Sequence, residues 1–259
     1  MTEIQRPGAL YQQVAAAIRE AILTGEFAPD SLLPSEAQLM ARYGVSRPTV
    51  RNAIAALRAE GLIDVRHGKG SFVRSDGQPA LTLERRIGRT TEGKFVMPNG
   101  DAWQEPEEPS TYRTHTTKDI GRLLQLGEEE ALFGCDRLLT DPGTGTRAMH
   151  RTLIPFEIAE AVPLLGKEPC KPPAAIYWVL TQAGHKLSWT ETVRARMPLP
   201  DERATLQLPD ATPILHLARL THGADDRPLI LEELRVGADR TELAFRIIAD
   251  KQPRRRTGI

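Results

Sequence analysis

The chain has little sulfur, few aromatic residues and no net charge. Its two cysteines, Cys135 and Cys170, stand far apart with no CxxC, which removes zinc knuckles and dithiol redox motifs. Both are expected to be free, buried thiols in a reducing cytoplasm. His115, His150, His185, His216 and His222 share no ligand spacing, so no metal is expected. There is no GxSxG elbow, no P-loop and no dinucleotide-binding glycine pattern, so neither an enzyme nor a cofactor is expected. No apolar run approaches the roughly 18 residues of a membrane span. The opening MTEIQRPGALY lacks the basic and apolar regions of a signal peptide. A cytoplasmic protein without membrane contact is the resulting expectation.

What is present is ordinary globular composition over 259 residues, enough for two domains with cores of their own. The 34 basic and 34 acidic residues cancel over the whole chain but not locally. From Arg42 to Arg74 the basic residues are Arg42, Arg47, Arg51, Arg58, Arg66, Lys69 and Arg74, against two acids, Glu60 and Asp64. For attraction to phosphate, a local excess matters more than the average.

That basic stretch overlaps the clearest local pattern. Tyr11 to Thr24 has apolar residues at helical spacing and stops at Gly25. Ser35 and Gln38 form a capping box for a second helix that ends at Gly44. Ser46 is placed to cap a third helix, with Pro48 in its first turn and Val50, Ile54, Ala55 and Leu57 as the expected core stripe. Arg47, Thr49 and Arg51 fall near that helix start. Two short strands, Leu62 to Val65 and Ser71 to Val73, flank the tip Arg66-His67-Gly68-Lys69-Gly70. Two helices across a tight turn, followed by a basic hairpin, make a winged helix-turn-helix, whose recognition helix presents its first residues to base edges. Alone, Arg47 and Arg51 would be a solvated helix face. With the serine caps, the turn glycine and the hairpin they read as base contacts, because a guanidinium pairs bidentately with guanine. Ser35, Ser46 and Thr49 are placed for phosphates, and His67 and Lys69 for a minor groove or a phosphate.

The run LPSEAQLMARYGVSRPTVRNAIAALRAEGLIDVRHGKGSFV resembles the winged helix of GntR-family bacterial transcription factors, over residues 9–74. The resemblance implies that Arg47 and Arg51 read bases or flanking phosphates, that Ser35, Ser46 and Thr49 hold phosphates, and that His67 and Gly68 enter the minor groove with Lys69 nearby. One position departs from it. Many members carry arginine two residues after the equivalent of Ser35, where this chain has Ala37, so one DNA contact is expected to be missing.

Four segments are expected: a DNA-binding domain over 1–75, a linker over 76–108, a second domain over 109–250, which the resemblance described next makes an effector-binding and dimerisation domain, and a basic tail over 251–259. The reading as a linker or lid of mixed order follows from its glycines, prolines and charges, with Leu81, Leu83 and Ile87 as candidates for local docking; Arg85, Arg86 and Arg89 there read as a solvated charge run, against the alternative that they touch DNA flanks. Beyond it, strands at 110–116, 131–140, 146–154, 187–197, 214–221 and 229–236 alternate with short helices. The fold class is therefore α+β, with a mainly antiparallel sheet in the C-terminal domain.

The order of these elements is similar to the effector (UTRA) domain of the HutC-type branch of the same family, which has the chorismate-lyase fold. That resemblance implies a small-molecule pocket between sheet and helices, and a homodimer on palindromic, double-stranded operator DNA. Strand alternation nominates Arg137, His150, Arg151, Thr152, Glu191, Glu233 and Arg235 for the pocket, against the alternative that they are a solvated face. Arginine, threonine and glutamate together suit a phosphosugar or an organic acid. Trp178 and Trp189 are assigned to the core. A ligand-modulated repressor, located with the nucleoid when on DNA, is thus the leading expectation. The alternatives are a chorismate-lyase-related enzyme and a repressor without a ligand, such as a plasmid-transfer or autoregulatory one.

Overall fold

The structure is a computed structural model and describes residues 9–66, 68–74, 80–98, 100 and 102–247. The N-terminal arm before Ala9, His67 and the tail at 251–259 lie outside the described residues. The chain divides into two compact units. One comprises Met1–Pro79, Arg194–His216 and Val236–Arg240; the other comprises Ala80–Val193, Leu217–Arg235 and Thr241–Ile259.

The first unit opens with α1 (Leu10–Leu23), α2 (Glu36–Tyr43) and α3 (Arg47–Ala59), then the antiparallel hairpin β1 (Ile63–Arg66) and β2 (Gly70–Val73). Each boundary has a local cause. The Ser35 hydroxyl accepts from the Gln38 amide at 3.3 Å, and the Gln38 side chain accepts from the Ser35 amide at 2.8 Å. This closed box satisfies two N–H groups that the first turn of a helix leaves unpaired. Gly44 ends α2 at φ 65°, a left-handed conformation that a side chain would strain. Val14, Ile18, Leu39, Val50, Ala53, Leu57, Ile63 and Val73 form one core. Ala55, expected in the stripe of α3, is exposed, and Ala53 takes its place. From Val50, steps of three and seven residues stay on one helix face, whereas five residues lead away from it.

The second unit contains the segment expected to be a linker, and that segment is structured. It carries β3 (Leu81–Glu84), β4 (Gly88–Arg89) and β5 (Phe95–Val96). The Leu-Thr-Leu-Glu pattern of β3 buries Leu81 and Leu83, and β3 pairs in parallel with a strand at Thr241–Ala244. The two partners lie 160 residues apart, a distance across which no local signal acts. Phe95 packs edge-on against Tyr177 and Trp189.

The remaining elements are β6 (Ser110–His115), α4 (Lys118–Leu124), β7 (Ala131–Thr140), β8 (Arg147–Pro155), α5 (Phe156–Ala161), α6 (Pro163–Lys167), α7 (Pro173–Gln182), β9 (Ser188–Arg196), α8 (Pro200–Leu206), β10 (Ile214–His222), β11 (Pro228–Gly237) and β12 (Thr241–Ala244). Six strands form one sheet in the order β6-β7-β8-β11-β10-β9. The antiparallel register sets Asp136 opposite Arg151 and Arg137 opposite His150. Because neighbouring residues of a strand point to opposite faces, these two pairs lie on opposite sides of the sheet. One side packs Ile154 and Ile230 under α5 and α7, with Ile158, Ile176, Tyr177 and Leu180. The other packs Leu132, Leu153 and Leu231 against Leu124 of α4.

Cys135 and Cys170 are joined as a disulfide, with their Cα atoms 5.2 Å apart, within the range such a bond requires. This corrects the expectation of two free thiols. The loop before α7 brings Cys170 over β7, and sequence spacing carries no record of that approach.

Candidate nucleic-acid interface and ligand cavity

In the first unit the start of α3 stands free. The side chains of Arg47 and Arg51 are 63% and 70% exposed, and their Nε atoms lie 3.2 and 3.8 Å from the two oxygens of Glu36 at the start of α2. Ser46 makes no side-chain cap; its hydroxyl and that of Thr49 share a hydrogen bond at 2.9 Å. Ser35 caps α2 on the same side, and Gly68 and Lys69 form the exposed tip of the hairpin. Ser35, Glu36, Gly68 and Lys69 line one groove together with Leu32, Ile54 and Val65. The candidate residues from two helix starts and the wing are thus gathered along one side of this unit. His67 lies outside the described residues.

The local basic excess is partly spent within the fold. Arg42 pairs with Glu26 at 2.6 Å and stacks on Phe27 and Tyr43. Arg58 pairs with Asp210, which also holds Arg203 at 2.5 Å. Arg74 donates to the Asp210 carbonyl and the Thr212 hydroxyl, at 3.0 and 3.1 Å. Arg58 and Arg74 bind α3 and the base of the wing to the loop after α8, and Arg42 binds the end of α2 to the loop after α1. Arg47, Arg51 and Lys69 remain outward.

The second unit holds a partly open cavity of about 120 Å³ against the sheet, walled by Leu83, Met97, Trp103, Leu139 and Leu217 and by three guanidinium groups, Arg85, Arg137 and Arg219. Arg85 grips Glu191 through two hydrogen bonds of 2.8 and 2.6 Å, and Arg219 holds the same carboxylate at 2.7 Å. Burial pushes the Glu191 carboxyl up, but the hydrogen bonds and charges of Arg85 and Arg219 outweigh it and hold the group below its ordinary value. Tyr177 donates to Glu232, and burial together with that carboxylate raises the phenol well above its ordinary value. His150 Nε2 lies 3.7 Å from Glu232.

Of the seven residues nominated for the pocket, Arg137, His150 and Glu233 border the cavity. Glu191 sits behind its wall and fixes two of its arginines. Thr152 is buried on the Arg137 side of the sheet, without lining the cavity. Arg151 is on the other side, gripping Asp136 at 2.7 and 2.8 Å, with Tyr112 also donating to Asp136 at 3.1 Å. Burial is the first cause that pushes the Tyr112 phenol up to about 12. Arg235 pairs with Glu233 at 2.6 Å. Arg85, Arg219, Glu105 and Glu232 were missed. Arg219 left a signal: it sits at an inward position of β10, between the buried Leu217 and Thr221. Arg85, expected to be solvated, is instead half-buried against Glu191. Trp178 and Trp189 pack on the core cluster under α7.

Residues 10–73 match the family described as bacterial regulatory proteins, gntR family, and residues 112–242 match the UTRA domain, which covers half of the chain. The chain belongs to the GntR family. Within it, the chain is of the type that joins a GntR winged helix to a UTRA domain. The HTH-type transcriptional repressor NagR of Bacillus subtilis is 41% identical over 164 residues, covering 60% of this chain and 61% of that one. The histidine utilization repressor of Klebsiella aerogenes is 42% identical over 82 residues, 31% of this chain and 34% of that one, so the aligned stretch spans about a third of that relative. A solved structure described as a GntR-family transcriptional regulator superposes with a TM-score of 0.68 at 23% identity, covering 94% of this chain and 99% of that one; it supports the fold. Among the described residues no group of three or more His, Cys, Asp or Glu is placed to hold a metal ion, and no helix is long and apolar enough to cross a membrane.

Proposed function

We propose that this GntR-family chain is a transcriptional repressor that binds a palindromic operator as a homodimer and is modulated by a small molecule in the cavity of its second unit. The observation that carries this is the exposure of Arg47 and Arg51 at the start of α3, beside the wing tip at Gly68 and Lys69. A helix N-terminus with outward arginines fits the major groove, where guanine offers two acceptors to one guanidinium. The hydroxyls of Ser35, Ser46 and Thr49 and the free N–H groups of the helix starts suit phosphate oxygens. Two relatives with this winged helix bear repressor names, which supports the sign of the effect. The domain limits 1–75, 76–108, 109–250 and 251–259 belong to this proposal, with 80–98 as an ordered part of the second unit.

Gel shift on DNA from around the chain's own gene tests the reading. A sequence-specific complex whose affinity falls steeply with salt is expected, since bound phosphates release counterions. A salt-independent complex, or none, would remove the DNA-binding claim.

A further inference from the structure

The wall of the cavity is charge-balanced. Arg85 and Arg219 share Glu191, Arg235 holds Glu233, and Arg137 holds Glu105 at 2.8 Å; Glu232 takes the Tyr177 hydroxyl and faces the charge of Arg219. Four guanidinium groups therefore stand with four carboxylates. One pair differs from the rest in accessibility. The Arg137 side chain is 5% exposed, whereas that of Glu105 is 34% exposed. Arg137 comes from the central strand β7, and Glu105 comes from the stretch before β6, tied to the sheet beside it by two backbone hydrogen bonds between Gln104 and Thr140. The rest of the Arg137 guanidinium is only partly used. Nη2 donates to the Cys170 carbonyl at 2.7 Å, and Nε is buried with no hydrogen-bond partner, a state that costs free energy until an acceptor arrives.

We propose that Glu105 occupies the place of a ligand carboxylate, and that the cavity takes a monocarboxylate with an apolar body, which displaces Glu105 from Arg137. This rests on the reading of the cavity as the effector site and decides between the two ligand classes named for it. Exchanging one carboxylate for another keeps the wall neutral as Glu105 moves to solvent. A phosphate monoester, close to doubly charged at neutral pH, would leave an extra negative charge beside Glu232 and Glu191, and uncompensated buried charge is strongly disfavoured. The apolar body has partners in Trp103, Met97, Leu139 and Leu217. Specificity then comes from one charged anchor in a mostly apolar wall.

The test uses the full chain and three probes with one ring: benzoate, phenyl phosphate and benzyl alcohol, titrated by calorimetry. Benzoate is expected to bind about tenfold more tightly than phenyl phosphate, the scale of one unbalanced charge in a screened site. Benzyl alcohol is expected to bind more weakly than benzoate. The Glu105→Gln variant is expected to tighten benzoate about tenfold, because an internal competitor that holds the site most of the time lowers apparent affinity by that fraction. Arg137→Met is expected to abolish the preference for benzoate over benzyl alcohol. Equal or tighter binding of phenyl phosphate, or benzoate affinity unchanged in Glu105→Gln, overturns the carboxylate proposal. A separate readout guards the reading beneath it: the tryptophan fluorescence change on benzoate binding should be reduced in Trp103→Phe. A full change in that variant would place the ligand elsewhere and remove the cavity as the effector site.

Discussion

At the scale of single residues, two kinds of arginine occur in this chain, and their surroundings separate them. Arg47 and Arg51 are exposed and held loosely by Glu36, and an exposed ion pair contributes little to stability. Replacing Arg51 with alanine should therefore leave folding unchanged. It should cost on the order of 1–3 kcal/mol of operator binding if the side chain reads a base. Anisotropy titrations on operator and scrambled duplexes would show this as a loss confined to the operator; equal losses on both would make Arg51 a phosphate contact. Arg85 and Arg219 are the opposite kind, the first half-buried and the second buried, on one carboxylate that is 12% exposed. Glu191→Ala leaves both guanidinium groups without that partner and should cost about 3–5 kcal/mol in urea unfolding. The sign of its pH dependence follows from its depressed folded-state value. Glu191 contributes stability above the ordinary value of 4.5 and loses that contribution as pH falls through the folded value. Acid melts of the parent chain and Glu191→Gln should therefore converge below pH 4.5. A gap that does not narrow as pH falls from 4.5 would assign the stabilisation to something other than the carboxylate's charge.

At the scale of elements, what could be read in advance was what is local. The capping box at Ser35, the left-handed stop at Gly44 and the proline in the first turn of α3 act within four residues of themselves, and the winged helix follows from them. The alternating strands of the sheet were legible for the same reason. The pairing of β3 with β12 was not, because its two leucine-bearing strands lie 160 residues apart in the chain. A stretch rich in glycine, proline and charge therefore looked like a linker. Arg219 was visible as a charged residue on the inward side of β10, yet its partner Glu191 could be known only from the strand order. The disulfide belongs to this class as well: a separation of 35 residues is compatible with any Cα distance. Closing a loop of that length restricts the unfolded chain by about 3–4 kcal/mol in the chain-entropy picture. Reduction, or the Cys170→Ser variant, should lower unfolding stability by about that amount. The same reduction should disturb Arg137, whose Nη2 leans on the Cys170 carbonyl. If reduced and oxidised protein unfold at the same urea concentration, the bond does not constrain this fold.

At the scale of the whole molecule, the zero net charge conceals a division of labour. Arg42, Arg58 and Arg74 are consumed in holding the first unit together, and Arg47, Arg51 and Lys69 remain outward. With Arg47, Arg51 and Lys69 as the outward cations of this stretch among the described residues, a single winged helix is expected to offer few contacts. Operator affinity is therefore expected to come from two copies on two half-sites, whose spacing mirrors the symmetry of the pair. Nuclease protection on the DNA around the chain's own gene, with Arg51→Ala run in parallel, tests this most directly. The expected result is a protected inverted repeat with half-sites about one helical turn or a multiple of it apart, lost in the variant at the same protein concentration. Protection of a single unrepeated site, or an inverted repeat protected equally by the variant, would contradict it.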